Sequence, residues 1–255
     1  MEKLTEFLYD VTKYITRGCF VLKYEFIAND IRQFILDNNL EQSSQLPKID
    51  ELVKKYNASK NTVIKALEIL EQQGIIYQVQ GSGIFVRRKH RDGYINLRTN
   101  QGFYNTLKKN TIESDILDFK EIPADERAAK YLKCPIGETL FLAKRLRYKS
   151  GEPFCIETSL YKKSVVGYLN EDILKRSIFQ YLQEGLKLQF GFSDKYMTVS
   201  KLSKEEAKLL KIKENDPALI IEEVYYLSSG EAFDLSKIIY NHKNTKFFIQ
   251  GTGRD

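Results

Sequence analysis

The sequence predicts an α+β protein in two parts. Three helices closed by a β-hairpin come first, and a larger α+β unit built on an antiparallel sheet follows. Three observations predict this. Apolar residues recur at helical spacing three times before Gly74. A Gly-Ser-Gly turn between two short apolar runs follows at once. Farther on, strand-like and helix-like segments alternate, and part of that region repeats. The chain has 255 residues, 42% hydrophobic and 29% charged, which suits two modest domains with cores of their own.

Residues 1–22 carry Leu4, Leu8, Val11 and Ile15 at helical spacing and read as an amphipathic or loosely attached extension. Ile27, Ile31, Phe34 and Ile35 form one stripe of a helix over 24–38, ended by Asn38-Asn39. Pro47 suits the first turn of a second helix, whose inner face is Ile49, Leu52, Val53 and Tyr56. After the short turn Asn57-Ala58, Ser59 is a good N-cap for a third helix, because its hydroxyl accepts from a free backbone N–H. Val63, Ala66, Leu67 and Leu70 are that helix's buried stripe, and Gly74 is its stop. Ile75–Val79 and Ile84–Arg88 are strands joined through Gln80–Gly83. Helix, helix, tight turn, helix, hairpin is the winged helix-turn-helix order, assigned to residues 23–88. Residues 89–111 are polar and weakly periodic and read as a linker and entry loop.

Residues 112–255 form the second domain. Strands are expected at 115–122, 139–149, 153–161, 192–202, 217–228, 231–241 and 246–251, and helices at 124–133, 171–185 and 203–211. Aligning Gly151 with Gly230, an offset of 79, lays RLRYKSGEPFCIETSLY over VYYLSSGEAFDLSKIIY, with Tyr161 over Tyr240. Upstream, DERAAKYL lies over KEEAKLL. The domain thus reads as a duplicated helix–strand–hairpin–strand unit sharing one sheet.

Composition excludes several functions. No apolar run reaches the ~18 residues of a membrane helix, and the first residues alternate charged with apolar, so neither a membrane partner nor a secretory signal is expected. Three widely spaced cysteines, Cys19, Cys134 and Cys155, fit a reducing cytoplasm better than a disulfide framework. With only His90 and His242, no metal site is expected. The net charge is +6, and residues 45–91 hold nine bases against four acids. That footprint attracts polyanions, DNA foremost.

The segment LPKIDELVKKYNASKNTVIKALEILEQQGIIYQVQGSGIFVRR resembles the DNA-binding domain of the GntR family of bacterial transcription factors. The marks are Leu46-Pro47, Leu52-Val53, the run Ser59–Leu67 and the wing Gly81–Val86. Residues 112–251 resemble the effector-binding UTRA domain of the HutC subfamily, similar in fold to chorismate lyase. The marks here are Arg145 and Arg147, the Gly151-Glu152-Pro153 turn, Glu157, and Ser177-Ile178-Phe179 with Tyr181-Leu182. Two features depart from the family: Lys60 and Ile64 stand where arginines are usual, so different operator bases are implied. Residues before Lys23 are not required by the family pattern, and a start codon placed too early is one explanation.

The resemblance implies that the third helix enters the major groove by its N-terminal end. Ser59, Lys60, Asn61, Thr62 and Lys65 then face duplex DNA, with Lys48 among the DNA-binding residues, the small wing tip Gly81-Ser82-Gly83 approaching the minor groove, and Arg87 and Arg88 following the backbone. Lys54, Lys55, Lys89 and Arg91 are read equally well as solvated charges, and Thr62 as a capping residue. For the effector, Arg145 and Arg147 alternate with Leu146 and share one strand face, where a phosphate or carboxylate relieves their repulsion. Glu157 either accepts from sugar hydroxyls or forms a cross-strand salt bridge with Arg145. Ser177 either meets the anion or only caps its helix, Tyr240 either lines the pocket or packs in the core, and the loop at Gly102 and Phe103 offers backbone N–H groups. The expectation is a homodimeric repressor of a carbohydrate uptake or catabolism operon. It uses no cofactor, binds a palindromic operator, and is released by a small anionic effector such as a phosphorylated sugar. A lyase-like enzyme, a carboxylate-responsive regulator and a constitutive architectural protein are the alternatives.

Overall fold

The computed structural model describes residues 22–87, 93–97 and 112–251. The expectations for residues 1–21, Arg88, Lys89, Arg91, Gly102 and Phe103 lie outside that range. The described residues form two compact units: one of 22–87 with Gln250 and Gly251, the other of Gly93–Ile249.

The first unit holds helices α1 (Lys23–Asp37), α2 (Ile49–Tyr56) and α3 (Lys60–Gln72). Its core joins Ile27, Ile31, Phe34 and Ile35 of α1, Leu52 and Tyr56 of α2, and Val63, Ala66, Leu67 and Leu70 of α3. Those are the stripes read from the periodicity. Asn57 ends α2 in the left-handed conformation (φ 44°), and Gly74 follows α3 at φ +68°. The wing has three strands rather than two. β1 (Gln45–Leu46) pairs with β3 (Gly83–Val86), which pairs with β2 (Ile76–Val79). A two-residue strand leaves no periodicity to read. At the base of the wing, Gln250 Nε2 donates to the Gly74 carbonyl at 3.1 Å. A Cβ at Gly74 would lie 1.5 Å from Gln250 Oε1, so this approach requires glycine.

The second unit is a six-stranded antiparallel sheet in the order β5-β6-β7-β10-β9-β8. Its strands are β5 (Ile112–Pro123), β6 (Thr139–Lys149), β7 (Glu152–Lys162), β8 (Phe190–Lys201), β9 (Pro217–Leu227) and β10 (Ala232–Asn241). Two three-stranded meanders therefore meet along β7 and β10, as a duplication demands. Helices α4 (Glu126–Leu132) and α8 (Lys204–Leu210) occupy equivalent places in the two halves. The short β4 (Ile95–Asn96) pairs in parallel with β11 (Phe247–Phe248), so the supposed linker contributes a strand and the strand expected at 246–251 is shorter.

The duplication is offset differently from the sequence alignment. Ile112–Pro123 maps onto Phe190–Lys201, Glu126–Leu132 onto Lys204–Leu210, and Thr139–Lys149 onto Pro217–Leu227, each 78 residues further on. Only the strand after the hairpin keeps the offset of 79. The extra residue lies in the second turn: Lys149 pairs with Glu152 across Ser150-Gly151, whereas the Leu227 N–H reaches the Glu231 carbonyl across Ser228-Ser229-Gly230. Arg145 is thus equivalent to Glu223, and Arg147 to Tyr225.

The helix expected over 171–185 is broken. α6 (Glu171–Lys175) stops at Arg176, which is extended (φ −103°, ψ −162°). Ser177 then caps α7 (Ile178–Gln180), which runs into a π-turn over Tyr181–Gly185. A serine inside a helical pattern offers its hydroxyl to the backbone and favours a new start. An additional turn of helix, α5 (Lys163–Val166), follows β7. No helix among the described residues is long and apolar enough to cross a membrane.

Candidate nucleic-acid interface and effector cavity

Ser59 caps α3: its Oγ accepts from the Thr62 N–H at 3.2 Å and lies 2.8 Å from Thr62 Oγ1. Both hydroxyls therefore shape the helix start and leave the next positions outward. Lys60 and Asn61 are exposed there, and so is Lys65 one turn on. The Lys65 ammonium rests 4.1 Å from the Tyr24 ring centroid, which holds it along the outer face. Exposed Lys48 starts α2, and its N–H donates to Glu51 at 2.7 Å. Gly81 and Ser82 form the exposed wing tip, with Gly83 half-buried behind them (φ +131°). Gln45 braces the tip by donating to the Ser82 carbonyl at 3.1 Å. Arg87 donates to the Gly251 carbonyl at 3.0 Å. Lys54 is exposed. Lys55 is not a free surface charge: it pairs with Asp30 at 3.2 Å, and burial, opposed by Asp30, pushes its pKa down to about 8.

The second site is built on the first hairpin. Arg145 and Arg147 share a face of β6, and the β6–β7 register sets Arg145 opposite Glu157. The Arg145 guanidinium donates to both Glu157 oxygens at 3.0 and 2.9 Å, and Arg147 donates to one of them at 3.1 Å. Arg145 also donates to the Leu174 carbonyl at 2.9 Å, tying down the last turn of α6. All three charged groups are buried. Burial works against the charge on Glu157, yet the two guanidiniums hold its pKa below the usual carboxylate range. Burial likewise opposes charge on Arg145, and Glu157 more than offsets it. The cross-strand salt bridge is therefore present, and it gathers both arginines.

One cavity is lined by Arg147 and Glu157 from this hairpin and by Glu223 and Tyr225 of β9. Ser236, Ile238 and Tyr240 of β10, Lys195 of β8, Phe179 of α7 and residues Ile95–Leu97 complete the lining. Tyr240 packs edge-on against Phe154 and Phe247 as well, so it serves core and cavity together. Arg145 lies behind the lining and Ser177 outside it. Ser177 caps α7 by accepting from the Gln180 N–H at 3.2 Å.

Sequence reasoning missed two lining charges. Lys195 is ion-paired with Glu223 and donates to Ser193 Oγ at 2.7 Å. Their signal was present: Glu223 occupies the repeat position of Arg145, but only at an offset of 78. A polar chain continues behind the cavity. Ser236 donates to Asp234 Oδ1 at 2.7 Å, and the Ser159 and Ser236 hydroxyls lie 2.8 Å apart. Asp234 is 0% exposed, and burial drives its pKa far up despite the Ser236 hydrogen bond. With Lys195 matched to Glu223 and one carboxylate serving two arginines, the described charged groups of the site sum to one positive charge. No cluster of residues fit to hold a metal occurs among the described residues.

Comparison with known proteins identifies both units. Residues 23–86 match the family of bacterial regulatory proteins, gntR family, and residues 108–246 match the UTRA domain. The chain is 42% identical over 230 residues to the uncharacterized HTH-type transcriptional regulator YydK of Bacillus subtilis, covering 90% of this chain and 98% of that one. The crystal structure of YydK superposes with a TM-score of 0.80 at 40% identity, covering 91% of this chain and 100% of the other. The HTH-type transcriptional repressor NagR of Bacillus subtilis is 26% identical, over 85% of this chain and 89% of its own. The mannosyl-D-glycerate transport/metabolism system repressor MngR of Escherichia coli is 26% identical, over 89% of this chain and 94% of its own. With its capped recognition helix, its wing and its charge-lined cavity, the chain belongs to the GntR family of transcriptional regulators, its second unit being a UTRA domain.

Proposed function

We propose that this regulator is a homodimeric repressor of a carbohydrate uptake or catabolism operon. It binds a palindromic operator and is released by a small anion, a phosphorylated sugar, held in the UTRA cavity. The observation that carries this reading is the cationic excess beside Arg147 and Glu157 at the cavity wall. A phosphate accepts the forked donors of Arg147, while Glu157, Ser236 and Tyr240 offer partners to hydroxyls. The names of the relatives NagR and MngR as repressors, the latter of a mannosyl-D-glycerate system, support it. At the DNA, Lys60 and Asn61 read base edges, while Lys48, Lys65, the Gly81-Ser82-Gly83 tip and Arg87 follow the backbone. Effector and operator are linked through one conformational equilibrium, so each weakens the other's binding by the same factor.

The test has two arms. Selection from a randomised duplex library is expected to return two inverted half-sites, and Lys60→Ala to weaken binding and lower its salt slope by about one. A thermal-shift screen with inorganic phosphate, hexose 6-phosphates and small carboxylates is expected to single out a sugar phosphate. A ligand at 100 times its Kd adds ~2.7 kcal/mol. The same compound should then free the selected duplex. Stabilisation by carboxylates alone would replace the sugar phosphate with a carboxylate. Failure of every anion to alter duplex affinity would overturn effector control.

A further inference from the structure

The cavity lined by Arg147 and Glu157 is small, about 50 Å³. That is less than twice the ~30 Å³ a water takes in the liquid, whereas cavities that hold small ligands run to roughly 300–1,000 Å³. A sugar phosphate enters only where a wall gives way. The walls differ in how firmly they are held. Of the lining strands, β7, β9 and β10 are each paired on both sides. The wall of α6 and α7 is fixed by the buried hydrogen bond from Arg145 to the Leu174 carbonyl at 2.9 Å, and by Phe179, which packs edge-on against Phe190 and Tyr225. The wall Ile95–Leu97 contains only the two-residue strand β4, paired with β11 outside the large sheet. Two backbone hydrogen bonds join the pair, from the Ile95 N–H to the Lys246 carbonyl at 2.8 Å and from the Leu97 N–H to the Phe248 carbonyl at 3.0 Å. Ile95 and Phe247 rest on the sheet through apolar contacts with Ile221, Ile238 and Tyr240, and such contacts are non-directional.

The same pair stands where the chain passes from one unit to the other. Gly93 is the first residue of the second unit and Ile249 its last, so β4 follows one crossing and β11 precedes the other. Gln250, next in the chain, belongs to the first unit. It donates to the Gly74 carbonyl, and Gly251 accepts from Arg87. A side chain at position 74 would occupy the place of the Gln250 amide, with its Cβ 1.5 Å from Oε1. Ile249 alone separates Phe248 from Gln250, and two residues of extended chain span at most ~7 Å. A shift of Phe248 therefore has no slack to absorb it.

We propose that β11 with Gln250 and Gly251 is a strap through which the effector acts on the wing. A ligand that enlarges the cavity displaces β4 and β11 together and draws Gln250 and Gly251 off the base of the wing. This rests on the effector control proposed above and names the element that carries it. Arg87, which follows the wing strand β3, then loses its carbonyl acceptor, and the Gly74 carbonyl loses its donor. The seated strap belongs to the operator-bound state and the unseated strap to the effector-bound state, so each ligand selects one of two arrangements. The return crossing of the chain, rather than the forward one, carries the coupling.

Operator titrations of the full chain test this, using the anion that the thermal-shift screen selects from inorganic phosphate, hexose 6-phosphates and small carboxylates. In the wild type that anion is expected to weaken operator binding by roughly 5–150-fold. Gln250→Glu keeps the shape of the side chain and sets a carboxylate oxygen against the Gly74 carbonyl in place of the amide donor. Without the anion it is expected to bind operator at least about fivefold more weakly than wild type, with its circular dichroism retained, and the anion to add less than about twofold. By reciprocity it binds the anion more tightly than wild type, whereas a merely damaged protein would bind both ligands worse. Gln250→Ala, which brings no new charge, is expected to move both affinities the same way by less. A second measurement needs no variant: in the wild type, the anion is expected to speed hydrogen exchange of the Ile75 and Arg87 amides at the base of the wing. A wild type whose operator affinity no anion alters would overturn effector control and the strap with it. A responsive wild type would leave effector control standing. The strap alone would be overturned by variants that respond by the wild-type factor, by variants that bind the anion more weakly, or by unchanged exchange at Ile75 and Arg87.

Discussion

The two halves of the UTRA domain share one architecture and divide its chemistry. In the first half, the hairpin of β6 and β7 holds two arginines on one carboxylate. In the second, the same places hold Glu223, Tyr225 and Ser236, with Lys195 answering from the edge strand. One additional turn residue separates the hairpins, and both then shift register at equivalent places, passing over Phe154 in the first and Phe233 in the second. Duplication supplies backbone positions, and single substitutions at those positions then decide which half carries positive excess and which is neutral. A cavity lying across both halves meets an ion at one wall and a matched pair at the other.

The largest expected effect sharpens that contrast. Glu157→Gln leaves two buried guanidiniums sharing a neutral partner and is expected to cost about 3–5 kcal/mol of stability by urea unfolding. Glu223→Gln, which strands one lysine, is expected to cost clearly less, and equal losses would break the comparison. Next, Arg147→Met removes charged donors from the cavity. It should raise the Kd for the best hexose 6-phosphate about 10–100-fold by calorimetry, matching ~1.5–3 kcal/mol for hydrogen bonds to a charged group. A smaller effect distinguishes the halves by pH. The folded pKa of Glu157 is depressed, so its contribution is present above its unfolded pKa of ~4.3 and is lost as pH falls through the folded value. The folded pKa of Asp234 is raised, so its contribution is present below ~3.9 and is lost as pH rises through the folded value. Asp234→Asn is therefore expected to stabilise the protein toward alkaline pH, by on the order of 1 kcal/mol, and to flatten the slope of stability against pH. The smallest effect lies outside the repeat: Ser59→Ala should cost roughly 0.5–1 kcal/mol as a lost helix cap, read by thermal unfolding.

The winged helix was legible because its cues are local. The stripe from Ile27 to Ile35, the Ser59 cap, the helix stop at Gly74 and the turn at Gly81 are each read from a few neighbouring residues, although Gly74 also admits the distant Gln250. The pair β4 and β11 was not legible, because each strand is two residues long and its partner lies some 150 positions away. The break at Arg176 was hidden inside a continuous apolar pattern, Ile173 to Leu182, which a bent helix fills as well as a straight one. At the cavity, the Arg145–Glu157 pairing followed from counting outward from the turn at Gly151. The Lys195–Glu223 pair escaped because identity around Gly230 fixed an offset of 79, while the strand before the turn obeys 78.

The hydrogen bonds from Gln250 to Gly74 and from Arg87 to Gly251 also bear on synthesis. A ribosome completes the three helices and the wing long before it reaches residue 250. During that interval the nascent DNA-reading unit stands without the groups that later fill the base of its wing. Any product that stops short of residue 250 would thus carry an unfinished DNA-binding unit, because its wing would lack the partners of Gly74 and Arg87.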